Sequence, residues 1–209
     1  MRKTIGAAAL AAALLAGCAG PGAVEEPPSR VYYEIFVRSF YDTNGDGVGD
    51  LNGVTAKLDY LEELGVEGIW LMPVNASPSY HGYDVTDYYA IHPDYGTLDD
   101  MKALLEEAEK RGIRVLMDLV VNHTSVQHPW FVDAASGPDA AKRDWYVWAD
   151  ESDNVNDLSA TGGGKAWHPK SGGHYLGAFW DGMPDLNFDN PEVREEMKKV
   201  GAYWLDLGV

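Results

Sequence analysis

Three short runs of β-branched, aromatic and aliphatic residues, separated by stretches of helical spacing, constrain this 209-residue chain more than any other feature. Val31 to Phe40 predicts a first strand. Val54, Leu58, Leu61 and Leu64 then recur at helical spacing, and Gly65 falls where a glycine closes a helix. Gly68 to Pro73 predicts a second, buried strand. Thr97 is placed to cap the next helix at the amide near Asp100, and Met101, Leu104, Leu105 and Ala108 carry that helix to Gly112. Ile113 to Val121 predicts a third strand. Alternation at this spacing implies right-handed βαβ units around a parallel sheet, an α/β fold.

The third run ends in Asp118-Leu119-Val120-Val121-Asn122-His123-Thr124, so apolar strand passes directly into polar groups. Buried Asp, Asn and His need partners or a ligand, and sites in parallel α/β folds form at the carboxyl ends of strands. The rhythm then breaks. The next clear helix opens at Asn190-Pro191, a capping residue followed by proline at the first helical position, and runs through Val193, Met197, Val200 and Trp204. Residues 122–189 are too many for a βα loop and predict a folded excursion with a small core of its own, holding Trp130, Trp145, Trp148, Trp167 and Trp180. The expected layout is residues 30–121 for barrel strands 1–3 with helices 1–2, 122–189 for the insertion and 190–209 for the third barrel helix. A fourth strand is due where Leu207-Gly208-Val209 stands, so the chain reads as the N-terminal part of a larger barrel, truncated before that strand.

Residues 1–17 read as a targeting segment. Arg2 and Lys3 precede an Ala/Leu-rich run, Ile5 to Leu15, too short to span a bilayer. Leu15-Ala16-Gly17-Cys18 resembles the lipobox of bacterial lipoprotein signal peptides, in which the cysteine becomes the lipidated N-terminus; the plainer alternative is a secretory signal with a chance cysteine. Residues 18–29 would then be the lipidated Cys18 and an extended tether, and the protein a soluble domain anchored by lipid to the bacterial envelope. Ala19, in place of an Asp that retains lipoproteins in the inner membrane, points to the outer membrane, cell surface or periplasm. Cys18 is the only cysteine, so stability must come from packing and metal rather than an internal disulfide. With 33 acids against 16 bases the formal charge is −17, moving to −19 when Arg2 and Lys3 leave with residues 1–17, which hold no acid. Nucleic acid and anionic membrane surfaces are poor partners for such a chain.

Asp42-Thr43-Asn44-Gly45-Asp46-Gly47-Val48-Gly49-Asp50 sets hard oxygen donors at alternate positions, as Ca²⁺ requires. It matches the first half of an EF-hand loop, but Gly53 stands where the bidentate Glu belongs; the alternative is a metal-free turn. Tyr80-His81-Gly82-Tyr83-Asp84-Val85 follows the second strand and offers rings and polar groups suited to a sugar, or simply a packed turn.

These motifs, with Met183-Pro184-Asp185-Leu186-Asn187, occur in the order seen in the α-amylase family of glycoside hydrolases, and the resemblance spans residues 31–209. It implies a (β/α)₈ TIM barrel whose excursion after the third strand corresponds to the inserted B domain. It implies that Tyr83 stacks on the sugar at the cleavage subsite, that His123 and His81 bind its hydroxyls, and that Asp118 organises the site. Asp42, Asn44, Asp46, the Val48 carbonyl and Asp50 would hold structural Ca²⁺, and Asn122 resembles a ligand of a second calcium. The Met-Pro-Asp-Leu-Asn form resembles a branch between oligo-1,6-glucosidases and neopullulanases that includes lipoprotein α-amylases. Tyr80 stands where exo-acting members carry an Asp, which favours internal cleavage.

Retaining hydrolysis needs two carboxyl groups roughly 5 Å apart. Asp118 with Asp185 is the tempting pair, but the resemblance assigns both to structural roles and sets the nucleophile, acid/base and transition-state carboxylates after later strands. No catalytic residue is therefore expected before Val209, and the chain alone should be inactive. The implied full-length protein hydrolyses internal α-1,4 bonds of starch or maltodextrin; the alternatives are a family transglycosylase or a non-catalytic carbohydrate-binding or assembly relative.

Overall fold

The computed structural model describes residues 30–162 and 164–209; the expected signal peptide, Cys18 and tether lie outside them. In chain order the elements are β1 (Tyr32–Ile35), α1 (Leu51–Ala56), α2 (Leu58–Glu63), β2 (Gly68–Leu71), β3 (Asn75–Ala76), β4 (Asp87–Ile91), α3 (Leu98–Lys110), β5 (Arg114–Met117), α4 (Pro129–Ala134), β6 (Trp167–Lys170), β7 (Gly173–Leu176) and α5 (Pro191–Leu207). Strands β1, β2 and β5 form the parallel sheet in that order, with Ile35, Leu71 and Met117 in register. Strand side chains alternate between faces. Ile35, Ile69, Leu71 and Val115 point into the core with Val54, Leu58, Leu61, Met101 and Leu104 from the helices. On the other face Trp70 and Leu116 are 40% and 42% exposed, because nothing among the described residues covers it.

Each parallel strand is four residues long, shorter than its apolar run predicts. The first stops at Ile35, and Val37–Ser39 forms a 3-10 turn whose Arg38 guanidinium donates to Asp94 (2.9 Å) while the Arg38 carbonyl accepts the Gly49 amide (2.7 Å). The expected helix from Val54 to Leu64 starts earlier, at the Asp50 cap, and breaks at Lys57, where φ −105° and ψ 5° leave the helical region. The third strand was expected to reach Val121. Its ladder ends when Asp118 N–H donates to the Leu71 carbonyl (3.2 Å), and its partner β2 then meets Pro73, which has no N–H to give. Beyond that point the buried Tyr88 hydroxyl lies within hydrogen-bond distance of the Val120 and His123 carbonyls (2.8 and 2.9 Å).

The capping box at the start of α3 joins Thr97 and Asp100 reciprocally. Asn190 caps α5 through the Glu192 amide with Pro191 in the first turn. The antiparallel β3–β4 pair was not foreseen. Its signal was the alternating burial of Asp87-Tyr88-Tyr89-Ala90-Ile91, hidden by the tyrosines on both faces.

Residues 122–189 carry α4 and the β6–β7 hairpin. Phe131 is their centre, with its ring edge-on to Tyr146 (5.0 Å) and Tyr175 (4.9 Å) and parallel to Trp148 (6.2 Å). Trp130 packs against Tyr88 and Trp145, so this aromatic group is continuous with the main core instead of separate from it.

Candidate active-site rim

The carboxyl ends of β2 and β5, and the loops leaving them, bring the polar residues together. The Asp118 carboxylate accepts from Trp70 Nε1 (2.6 Å) and from the Tyr83 hydroxyl (2.7 Å). Charge-assisted bonds of this length are strong, and this pair ties both strands to the loop between them. Partial burial, with the Asp118 bond, pushes the Tyr83 phenol up to about 12.

The Tyr83 loop is fixed from below. Gly82 has φ 80°, and a Cβ there would lie 2.8 Å from the Pro73 carbonyl, so only glycine fits. Asp84 is buried and accepts from Ser77 Oγ (2.7 Å) and from Ser79. His81 Nδ1 accepts the Tyr83 amide (3.1 Å) and its ring lies parallel to Tyr83, with centroids 6.1 Å apart. With Nδ1 accepting, Nε2 is the ring nitrogen left to donate, and it has no partner among the described residues.

His123 is 4% exposed, and burial lowers its pKa, so it is neutral. Its Nε2 lies 3.0 Å from the Tyr83 carbonyl and its Nδ1 lies 3.3 Å from Asn122 Nδ2. The carbonyl can only accept, which assigns the proton to Nε2. Both nitrogens are thus engaged within the chain, and His123 holds the Tyr83 backbone; contact with a hydroxyl requires it to exchange one partner. Phe179, half exposed, sets its ring edge-on to His123 at 5.1 Å. Sequence reasoning passed over it because one aromatic among many in the excursion carries no signal until the fold brings it to the rim.

The excursion's return segment pairs with the extension of β5 through His123–Asp185. Asp185 accepts from Asn122 Nδ2 (3.1 Å), and burial pushes its carboxyl up to about 6 against the lowering effect of its bonds with the Ala178 amide and Asn122. Asp118 is occupied by Trp70 and Tyr83, and Asp185 is a buried strut, so neither is free to attack a substrate.

The loop from Asp42 to Asp50 lies on the surface beyond β1. Asp42 accepts the Gly45 and Gly47 amides (2.7 and 2.9 Å), and these amide bonds, that from Gly47 foremost, lower its pKa. Asn44 Oδ1 accepts the Asp46 amide, and Asp46 Oδ1 accepts the Val48 amide. Asp50 accepts from Thr43 and caps α1 at the Gly53 amide (2.6 Å). Among the described residues no three His, Cys, Asp or Glu side chains are gathered closely enough to hold a metal ion by themselves. The donors here are instead a mixed set, three Asp, one Asn and a backbone carbonyl, all hard oxygens that suit Ca²⁺.

The family profile described as the catalytic domain of alpha-amylase matches residues 34–209. Over 87% of its length the chain is 51% identical to Alpha-amylase 3 of Dictyoglomus thermophilum, covering 35% of that protein. It is 48% identical over 86% of its length to the oligo-1,6-glucosidase of Parageobacillus thermoglucosidasius, covering 33%. The crystal structure of an alpha-amylase from H. orenii superposes with a TM-score of 0.81 at 55% identity, over 86% of this chain and 38% of that one. The chain thus spans about a third of the length of these relatives.

Proposed function

Because this chain belongs to the α-amylase family of glycoside hydrolases, we propose that the protein it forms part of hydrolyses internal α-1,4-glucosidic bonds of starch or maltodextrin with retention. The chain carries the N-terminal part of a (β/α)₈ barrel, and in this reading residues 122–189 correspond to the inserted B domain. The observation that carries the proposal is the Asp118 carboxylate held between Trp70 and Tyr83. That arrangement fixes an aromatic ring and its neighbours, His81, His123 and Phe179, on the carboxyl rim, where a pyranose finds a stacking face and hydrogen-bond donors.

In this role Tyr83 packs on the sugar, His81 Nε2 donates to a hydroxyl, His123 keeps the Tyr83 backbone in place, and Asp118 orients the whole group. The bond-breaking carboxylates belong to later strands. Asp42, Asn44, Asp46, the Val48 carbonyl and Asp50 hold a structural Ca²⁺. Cys18 carries lipid and anchors the protein in the bacterial envelope, facing the periplasm or outside.

The experiment compares the 209-residue chain with the full-length protein on soluble starch and maltoheptaose. The expected result is internal cleavage giving α-anomeric products by the full-length protein and no turnover by the chain. Tyr83→Ala in the full-length protein is expected to lower kcat/KM by about a hundredfold, the loss of an aromatic anchor. A full-length protein that binds α-glucan without cleaving it, or forms only transglycosylation products, would overturn the hydrolase assignment.

A further inference from the structure

Trp180 follows Phe179 in the chain and is 46% exposed. Trp70, Trp145, Trp148 and Trp204 each donate their indole N–H to a protein acceptor; Trp180, like the less exposed Trp130 and Trp167, makes no such bond among the described residues. Its six-membered ring lies directly over Gly182: a Cβ added there would meet ring carbons at 2.2 and 2.4 Å. Gly182 is not among the glycines with positive φ. The backbone does not demand glycine at this position; the ring above it does. Gly182 is accordingly buried although it has no side chain.

The segment is anchored in the rim. The Met183 amide closes a tight turn onto the Trp180 carbonyl (3.1 Å), the Val126 amide donates to the Gly182 carbonyl (3.0 Å), and the Thr124 amide donates to the Pro184 carbonyl (3.2 Å). These bonds seat the turn against the stretch that follows His123. One face of the indole is thus supported by backbone, and Trp180 as a whole remains 46% exposed next in the chain to Phe179, which contacts His123. A large flat ring with one supported face and an unpaired donor fits a pyranose, whose axial hydrogens stack and whose hydroxyls accept.

We propose that Trp180, seated on Gly182, is a sugar-stacking subsite for an α-glucan, at a sugar other than the one held by Tyr83. The proposal rests on the α-glucanase assignment above and names a residue that sets preference for chain length.

The test uses the full-length protein and the ratio of kcat/KM for maltoheptaose to that for maltotriose. Trp180→Ala is expected to lower the ratio about tenfold, chiefly through KM, and Trp180→Phe to restore most of it. Gly182→Ala keeps the indole but displaces it, and is expected to reproduce the loss. An unchanged ratio in Trp180→Ala would overturn the subsite while leaving the α-glucanase assignment intact. An equal fall on both substrates with a lowered Tm would also overturn it, identifying Trp180 as a packing residue. Failure of the α-glucanase assignment itself is read separately, as absence of hydrolysis by the wild-type protein, and the subsite falls with it.

Discussion

His128 is 4% exposed, packed against the rings of Tyr88 and Trp130, and its Nδ1 accepts the Trp130 amide that opens α4 (3.1 Å). The bond needs an unprotonated Nδ1, and burial lowers the imidazole pKa to about 4 from 6.5. A depressed folded pKa means that this stabilisation is fully present above pH 6.5 and is lost as pH falls toward 4. At roughly 1.4 kcal/mol per unit the stake is at most about 3.5 kcal/mol. Asn at this position offers the same amide an acceptor that does not titrate. Denaturant unfolding at pH 7, 5.5 and 4 should therefore show His128→Asn losing less stability on acidification than the parent; parallel losses would show that His128 does not govern the acid limb. The His128-Pro129 step carries the same proline signal that marked Asn190-Pro191. It went unread because a six-residue helix shows too little periodicity to support it. The Asp118–Tyr83 bond could not be read from the sequence by periodicity, since no spacing rule connects a residue after β2 with one after β5.

Among the elements, the loop from Asp42 to Asp50 has a structural role that its sequence spacing does not show. Alternating Asp and Asn positions give the donor spacing for Ca²⁺, but not that Asp50 also caps α1 through Gly53 and holds Thr43 (2.9 Å to its amide). Nor does spacing explain why that helix is short. Gly53 packs so closely on the loop that a Cβ would sit 1.9 Å from the Tyr41 carbonyl, and the helix must turn at Lys57. If the loop binds Ca²⁺ only when folded, ion at a hundred times its Kd adds about 2.7 kcal/mol, so Tm should rise with Ca²⁺ and fall with a chelator. Asp46→Ala is expected to abolish that response and leave Tm in chelator nearly unchanged, because Asp46 bonds only within the exposed loop. Asp50→Ala should lose the response and also about 1 kcal/mol in chelator, the cost of a missing N-cap. A parent protein whose Tm ignores Ca²⁺ would eliminate the ion and leave a hydrogen-bonded turn.

For the whole molecule, strand–helix alternation was enough to predict a parallel sheet, because βαβ units have little topological freedom. It could not show how residues 122–189 fold, since their cohesion comes from rings such as Phe131, Tyr146 and Tyr175, which are distant in sequence and follow no period. Charge sets a further condition on location. The chain carries 17 more acids than bases, and 19 more if residues 1–17 are cleaved as proposed, and no helix among the described residues is long and apolar enough to cross a membrane. Anionic lipid repels such a surface, so the proposed membrane anchorage rests on acyl chains at Cys18 and not on charge. The two sources of membrane binding respond oppositely to salt: screening releases a protein held by charge and slightly favours one held by lipid against its own repulsion. Membranes from cells making the full-length protein are therefore expected to retain it through 1 M salt and to release it in detergent. A radiolabelled fatty acid should label the parent and not Cys18→Ser. Release by salt, or label persisting in Cys18→Ser, would remove Cys18 as the anchor and leave residues 1–17 as an ordinary secretory signal.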